Sequence, residues 1–272
     1  MKKNKAVTGV AAALVIAAGS VGCSATTVAE KAGDSAQTLV EALSRASDEA
    51  SKAGSAEINM VVTSSETAGK PVQMKGVYSW GEGVAMETEM PAKDLQMEEL
   101  VADGTITMRM VQGAYYYGVD PSPDGPFKGK SWLKLDVSAV LGEQGAAGMK
   151  GANSDPTAGL KTLKYAKGVS KVGTEKVNGK TTTHYRATVP GDKLGDAAAM
   201  YGKLGSTGGE VVTDVWVDDK GMPARMNQTF GTTSMNLDFL SFGGAKAIAA
   251  PPAGDTADIT ELYKSGQAGG PA

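Results

Sequence analysis

The chain has 272 residues, with 27 lysines and arginines against 30 aspartates and glutamates, and a formal net charge of −3. A mildly acidic protein without a basic run lacks the electrostatic surface that nucleic acid requires. It also lacks the polybasic segment that holds a protein on anionic lipid. One cysteine and one histidine in the whole chain exclude an intramolecular disulfide and leave no second soft ligand for a metal site.

The first 22 residues have the layout of a secretory signal peptide. Lysines at positions 2, 3 and 5 precede a mostly apolar stretch without charge, residues 6–18. This stretch has about 13 residues, whereas a membrane-spanning helix needs about 20. The sequence therefore predicts a signal peptide over residues 1–22 rather than a transmembrane helix.

Small residues directly precede the single cysteine, Cys23, in a pattern that resembles a bacterial lipobox. In that pattern a diacylglyceryl group is attached to the thiol, and signal peptidase cuts just before the cysteine. Val21, Gly22 and Cys23 fit the last three positions, whereas Ser20 stands where leucine is usual. We predict a lipid anchor at Cys23. The alternative is cleavage by the ordinary signal peptidase, which would leave Cys23 as a free thiol.

Composition divides the rest of the chain into three parts. Residues 23–33 are small and polar and show no period, so they are predicted as a tether. Residues 34–264 are predicted as a single domain, long enough to bury a substantial core. Residues 265–272, rich in glycine, are predicted as a disordered tail.

Three segments of the predicted domain are expected to be helical. Apolar residues recur at helical spacing from Leu39 to Ala50, which predicts an amphipathic helix ending near Gly54. Shorter helices are predicted at residues 156–166 and 191–205. Between the first helix and these two, residues 142–155 are rich in glycine and are predicted as a mobile loop.

From residue 56 the apolar period changes to two, which is typical of antiparallel strands with one polar and one apolar face. Asn178-Gly179 marks a hairpin, three strands follow between residues 210 and 242, and residues 247–266 are expected to add an edge segment. About eleven strands and three helices result, without strand–helix–strand alternation. The predicted fold class is α+β, with one large curved antiparallel sheet and helices packed on one side.

Methionine takes an unusual share of the predicted apolar face, with 13 methionines in the chain. Its unbranched side chain adapts to irregular partners and specifies a tight core poorly. A sheet face lined with methionine therefore suits a cavity for flexible apolar chains. The alternative is an ordinary β core that uses methionine. The predicted cavity lining consists of Ile58, Met60, Val62, Met74, Tyr78, Met86, Met90, Ile106, Met108, Met110, Leu237 and Phe239.

No catalytic, metal or cofactor motif is found in the sequence. His184 alternates with apolar residues and is predicted on the solvent face, beside Arg186 and Thr188, as an ordinary surface histidine. No nucleophile elbow, phosphate loop or calcium loop is present. We predict a protein that is not an enzyme and needs no cofactor; an enzyme would have to work with carboxylates alone.

The segment VWVDDKGMPARM, residues 215–226, resembles the late hairpin of LppX/LprG-type envelope lipoproteins of actinobacteria, whose fold is similar to that of the LolA and LolB carriers. It has a tryptophan strand, an acidic turn, a glycine, and then a proline and a basic residue. The lipobox, tether, first helix and long antiparallel meander agree with the same resemblance. It implies a half-barrel with helices on the concave side and an apolar cavity for lipid or lipoglycan chains.

Together these patterns predict a lipoprotein anchored through Cys23 on the extracytoplasmic face of the cell membrane. It would bind lipid or lipoglycan acyl chains and transfer them, with residues 142–155 as the lip of the cavity. The alternative is a lipoprotein that carries nothing, such as a sensor or an assembly factor, whose sheet docks a protein partner. A fully packed interior would favour this alternative.

Overall fold

The fold is known from a computed structural model. It describes residues 35–64, 69–80, 83–150, 157, 160, 163, 165–194 and 209–266. The predicted signal peptide, the tether with Cys23 and residues 267–272 of the predicted tail lie outside the described residues. The described residues from Ala36 to Gly266 belong to one compact unit, and the predicted domain boundaries stay a prediction.

The described residues form twelve strands and three helices. The strands are β1 (Ser55–Thr63), β2 (Val72–Ser79), β3 (Ala85–Pro91), β4 (Thr105–Val111), β5 (Ala114–Gly118), β6 (Trp132–Asp136), β7 (Lys167–Val177), β8 (Lys180–Val189), β9 (Val211–Asp218), β10 (Pro223–Phe230), β11 (Thr233–Phe242) and β12 (Thr256–Asp258). The helices are α1 (Ala36–Ala53), α2 (Val137–Lys150) and α3 (Thr260–Lys264).

All twelve strands belong to one sheet in the order β12-β6-β5-β4-β3-β2-β1-β11-β10-β9-β8-β7. One half of the sheet consists of β1 to β6, each paired with the next along the chain. The other half consists of β7 to β11, and the two halves join where β1 pairs with β11. Neighbours are antiparallel except β12, which pairs parallel to β6. The sheet is open, because β12 and β7 each pair on one side only. The predicted α+β class with a large antiparallel sheet is confirmed.

The twelfth strand accounts for the difference from about eleven predicted strands. It lies in the segment that was expected to add an edge, but it is short, only Thr256–Asp258. Its parallel direction was not predicted, because three residues give no readable period. Hydrogen bonds from Ser131 N to Asp255 O (2.9 Å) and from Ile259 N to Lys134 O (2.8 Å) extend the pairing at both ends.

Helix α1 confirms the first predicted helix and packs on the apolar face of the sheet. Its buried residues follow the predicted spacing, and Gly54 ends it with a left-handed φ of 69°. The Trp80 indole at the end of β2 donates to Ser51 O at 3.3 Å, which ties the helix to the sheet. The buried side chains of α1 are Leu39, Leu43, Ala46, Ser47 and Ala50.

The loop predicted over residues 142–155 is wrong as far as Lys150, because α2 runs through it. Two helical stretches of α2 meet at a kink at Gly142, whose angles, φ 72° and ψ 168°, are not helical. Glycine costs about 1 kcal/mol relative to alanine in a helix, but packing against β6 and α3 overrides that preference, and Ala146 is buried. Residues 151–155 lie outside the described residues.

The other two predicted helices fall largely outside the described residues. Within residues 156–166, Leu160 and Leu163 are buried in the main apolar cluster. Within residues 191–205, Gly191–Lys193 form a 3-10 turn, and residues 195–205 are not described.

Gly76 lets β2 and β3 approach each other closely. A Cβ atom at this position would lie 1.9 Å from the carbonyl oxygen of Glu87 on β3, a distance that no side chain tolerates. Gly76 stands opposite Thr88 in the strand register. Only glycine therefore fits here without pushing the two strands apart.

Candidate lipid-binding face

The strand register brings most of the predicted lining residues together on one face. Met60 lies opposite both Met74 and Leu237, and Ile58 lies opposite Phe239. Further along the sheet, neighbouring strands pair Tyr78 with Met86, Met86 with Met110, and Met90 with Ile106. These pairs form rows of apolar side chains across the sheet.

Eleven of the twelve predicted lining residues belong to the main apolar cluster or pack against it. Val62 is the exception: it is half-buried and stands opposite Val72 and Met235, outside that cluster. The cluster also includes Leu43 and Ala46 of α1. That these side chains line a ligand cavity stays a prediction.

The described part of this apolar face is packed rather than open. Ile106 and Phe239 are fully buried, and Met86, Met90, Met108 and Met110 are less than 9% exposed. Their burial rests on flexible thioether chains, which reorient more easily than branched side chains. The methionines are therefore the side chains of this face that rearrange most easily.

Thr88 is a polar side chain within these apolar rows. Its side chain points to the same side of β3 as those of Met86 and Met90, and it stands opposite Met108 on β4. The residue is 1% exposed, and its hydroxyl has no hydrogen-bond partner among the described residues. Alternation of apolar and polar residues could not single it out, because the sequence does not show which hydroxyl will lack a partner.

Two tyrosines continue the rows on β5. Tyr117 lies opposite Met108, and Tyr115 lies opposite Met110. Burial raises the pKa of both phenols above the ordinary value, and for Tyr117 the neighbouring Tyr115 and Tyr263 add to the effect. Both side chains therefore stay neutral and able to donate a hydrogen bond at physiological pH.

The opposite, outer face of the sheet carries a polar cleft of about 710 Å³. Arg109 on β4 donates to the Glu87 carboxylate on β3, and its guanidinium lies 4.8 Å from the centre of the Trp132 ring. Five carboxylates and two basic side chains line the cleft: Glu57, Glu87, Glu89, Asp103 and Asp120, with Lys75 and Arg109. The cleft therefore has an excess of negative charge.

His184 lies on the predicted outer face, but the prediction that it is an ordinary surface histidine is wrong. The residue is 8% exposed and stacks on Trp216, with ring centres 4.1 Å apart. Its Nε2 lies 2.7 Å from Asp214 Oδ1, and its Nδ1 lies 3.3 Å from Glu175 Oε1. Both ring nitrogens face carboxylate oxygens, so both donate only in the imidazolium form.

Arginine forks extend this polar arrangement over the neighbouring strands. Arg186 binds both oxygens of Asp214 at 2.8 and 3.0 Å, and Arg225 on β10 binds both oxygens of Asp238 on β11. The hydrogen bond to Asp238 raises the pKa of Arg225 above its ordinary value. The Arg225 guanidinium also lies 5.9 Å from the centre of the Trp216 ring on β9, so the contacts join β7 through β11 into one network. The sequence did not predict this network, because cross-strand partners depend on register.

Neither a metal site nor a membrane-spanning helix is found among the described residues. No three histidine, cysteine, aspartate or glutamate side chains among them are grouped to hold a metal ion. No helix within the described ranges is long and apolar enough to span a membrane.

Two Streptomyces proteins are similar in sequence to this chain. A 31.2 kDa protein encoded in the rplA-rplJ intergenic region of Streptomyces griseus is 28% identical over 243 residues, covering 80% of this chain and 79% of that protein. A Streptomyces coelicolor protein named as a lipoprotein is 26% identical over 238 residues, covering 83% of this chain and 76% of that protein. No family model matches the chain.

Two solved structures share the architecture at low sequence identity. The Mycobacterium tuberculosis lipoprotein LppX aligns with a TM-score of 0.54 and 13% identity, over 79% of this chain and 100% of that one. LprF from Mycobacterium bovis aligns with a TM-score of 0.50 and 12% identity, over 79% of this chain and 97% of that one. Likeness at this identity identifies a fold and not a ligand. The protein therefore has the LppX-type fold that the resemblance of its late hairpin implied.

Proposed function

We propose that this protein is a lipoprotein of the cell envelope, anchored through Cys23 on the extracytoplasmic side of the membrane, and that it binds lipid or lipoglycan acyl chains for transfer. The observation that carries the proposal is the continuous methionine-rich face of the open sheet. Two further points support it: the fold is shared with the lipoprotein LppX, and the Streptomyces coelicolor relative is named as a lipoprotein. The proposed role needs no catalytic residue.

Binding would follow from the chemistry of the apolar face. Each CH₂ group transferred from water to an apolar site contributes about 0.8 kcal/mol, so a chain of ordinary length gains enough to bind. Methionines at Met74, Met86, Met108 and Met110 would reorient around it, since the thioether side chain has three rotatable bonds. Release would return these side chains to the packed arrangement.

Mass spectrometry of the mature protein tests the anchor. A mass increase on an N-terminal Cys23 that matches diacylglyceryl modification is expected. Cys23→Ser removes the acceptor thiol and should move the protein from the membrane fraction to the soluble fraction. An unmodified Cys23 on a protein that is already soluble would refute the anchor. Substitution of Ser20 by leucine, the usual residue there, serves as the matched control and should keep the protein in the membrane fraction.

Native mass spectrometry of the purified protein tests the carrier function. Acyl lipid that copurifies with the protein, and that organic solvent extracts, is the expected result. Met108→Glu places a charge among the buried methionines and should abolish lipid retention. Thr107→Glu, on the next residue of β4 but on the outer face, should leave it unchanged. Failure of the unaltered protein to retain lipid, or to take it up from vesicles, would contradict the proposal.

A second function is favoured by the outer cleft. A packed interior and an acidic cleft of about 710 Å³ would suit a lipoprotein that docks a positively charged segment of a protein partner. Glu57→Lys together with Glu89→Lys would then abolish partner binding without affecting lipid content. Unchanged partner binding in this double variant would contradict the docking function.

A further inference from the structure

Two buried side-chain atoms among the described residues lack a hydrogen-bond partner: the Thr88 hydroxyl and the Asn227 carbonyl oxygen. Asn227 follows Met226 on β10 and therefore points to the outer, polar face. Thr88 points to the apolar face, where it lies between Met86 and Met90. Its hydroxyl is thus an unpartnered polar group within the proposed lipid-binding face.

Within the part of the chain that the structure describes, the strand neighbours of Thr88 supply no hydrogen-bond partner. Across β2 its neighbour is Gly76, which has no side chain, and across β4 it is Met108, whose sulfur is only a weak acceptor. Another buried polar side chain on this face, Gln228 of β10, does have an interaction partner. An unmade hydrogen bond at a site 1% exposed destabilises the folded protein, so the hydroxyl of Thr88 is available to an acceptor that a bound ligand would bring.

The neighbours of Thr88 are suited to admit such an acceptor. Met86, Met90 and Met108 surround it with side chains that reorient at low cost. The position is deep in the apolar rows, so a free headgroup with its hydration shell would be costly to bring there. An acceptor that travels with apolar chains meets both conditions, and the ester carbonyl of a diacyl lipid is such a group.

We propose that the Thr88 hydroxyl donates a hydrogen bond to an ester carbonyl of the bound lipid, and that the protein thereby selects ester-linked chains over ether-linked chains. The inference rests on the proposed lipid-binding function and adds a specificity-determining residue to it. An ether oxygen is a weaker acceptor than a carbonyl oxygen, and a diether lipid offers no carbonyl at this position. Apolar contacts of the two lipids with the methionines are the same.

A competition between two matched lipids tests the inference. The mature protein is offered a one-to-one mixture of dioleoylphosphatidylglycerol and its dioleyl ether analogue, and the bound lipids are counted by native mass spectrometry. The wild-type protein is expected to bind the diester in about fivefold excess, the value of one net hydrogen bond. Thr88→Val keeps the shape of the side chain without its hydroxyl and should reduce the ratio to about one, whereas Thr88→Ser should preserve it.

The possible outcomes distinguish failure of the Thr88 inference from failure of the proposed lipid-carrier function. Equal binding of both lipids by the wild-type protein, or an unchanged preference in Thr88→Val, would overturn the role of Thr88 and leave the carrier intact. Uptake of neither lipid would overturn both. Thermal unfolding of the lipid-free protein adds a second readout: Thr88→Val should unfold at the same temperature or higher. A clear decrease would mean that the hydroxyl already has an internal partner, which would also overturn the inference.

Discussion

The two faces of the sheet are held by different forces, although they are built from the same strands. On β3, Met86 and Met90 pack into the apolar cluster, while Glu87 between them accepts a hydrogen bond from Arg109. Contacts on the outer face have defined partners and directions, so they specify strand register. Contacts on the inner face are non-directional, so they tolerate rearrangement. The outer face can therefore preserve the strand register while the side chains of the inner face rearrange.

The largest expected effect comes from forcing β2 and β3 apart at Gly76, which would disrupt both faces of the sheet. Gly76→Ala would place a Cβ atom 1.9 Å from Glu87 O, and we expect it to lower the free energy of unfolding by about 3 kcal/mol. Gly173→Ala on β7 is the matched control, because nothing lies within 4 Å of its Cβ position. Urea denaturation of both variants measures the difference. Equal stability of the two would mean that β2 and β3 separate freely.

A smaller loss is expected when the outer network is broken at its shared carboxylate. Asp214→Ala removes the partner of both Arg186 and His184. We expect a loss of about 2 kcal/mol, below the value for a fully buried pair because the Arg186 side chain is 56% exposed. Asp219→Ala, at the exposed turn that follows β9, should change stability by less than about 0.5 kcal/mol. Chemical denaturation distinguishes the two variants. Unchanged stability of Asp214→Ala would contradict the view that outer-face contacts specify strand register.

The inner face should tolerate a conservative change of a buried methionine. Met108→Leu keeps the volume and is expected to cost less than about 1.5 kcal/mol. The branched side chain reorients less easily, so lipid exchange should slow although the fold persists. Fluorescent lipid transfer between vesicles measures the exchange rate, with Thr107→Ser on the outer face as control. Unchanged exchange in Met108→Leu would show that methionine flexibility is not used.

Lowering the pH should produce the smallest loss of stability, and this loss should be confined to the β12 edge of the sheet. Burial alone would raise the pKa of Asp258, yet hydrogen bonds from Lys134 and Thr260 bring it below its ordinary 3.8. A depressed carboxyl pKa stabilises the folded state above the unfolded value, and this contribution disappears as the pH falls through the folded value. The protection factors of the β12 amides, which correct for the intrinsic pH dependence of exchange, should therefore decrease below about pH 4, and Asp258→Asn should show no such decrease. Protection factors that stay constant in the acid range would contradict the stabilising role of the Asp258 carboxylate.

Periodicity was a reliable guide to the strands and the first helix. The alternation from residue 56 onward predicted which side chains of β1 to β4 face the apolar cluster, because side-chain direction follows from strand geometry alone. It also predicted the helix ending near Gly54. The α2 helix was missed because its glycines favour a loop locally, and only packing against β6 and α3 outweighs that preference.

Properties that depend on register could not be predicted in the same way. The burial of His184 results from Trp216 and Glu175 on the neighbouring strands, whose positions require the pairing to be known. The unpartnered hydroxyl of Thr88 and the close approach at Gly76 are properties of two strands together. Val62 was predicted to line the cavity because it has the correct alternation, but it lies outside the apolar cluster.

The parallel pairing of β12 with β6 has a consequence for how the chain becomes folded. Lys134 and Asp258 bond across a sequence separation of 124 residues, so the edge of β6 stays uncovered until almost the whole polypeptide has been synthesised. Long-range closure of this kind slows folding, and an uncovered strand edge can pair with another molecule. A ribosomal product that terminates before Thr256 would therefore expose a ready template for self-association, although its methionine face would be complete.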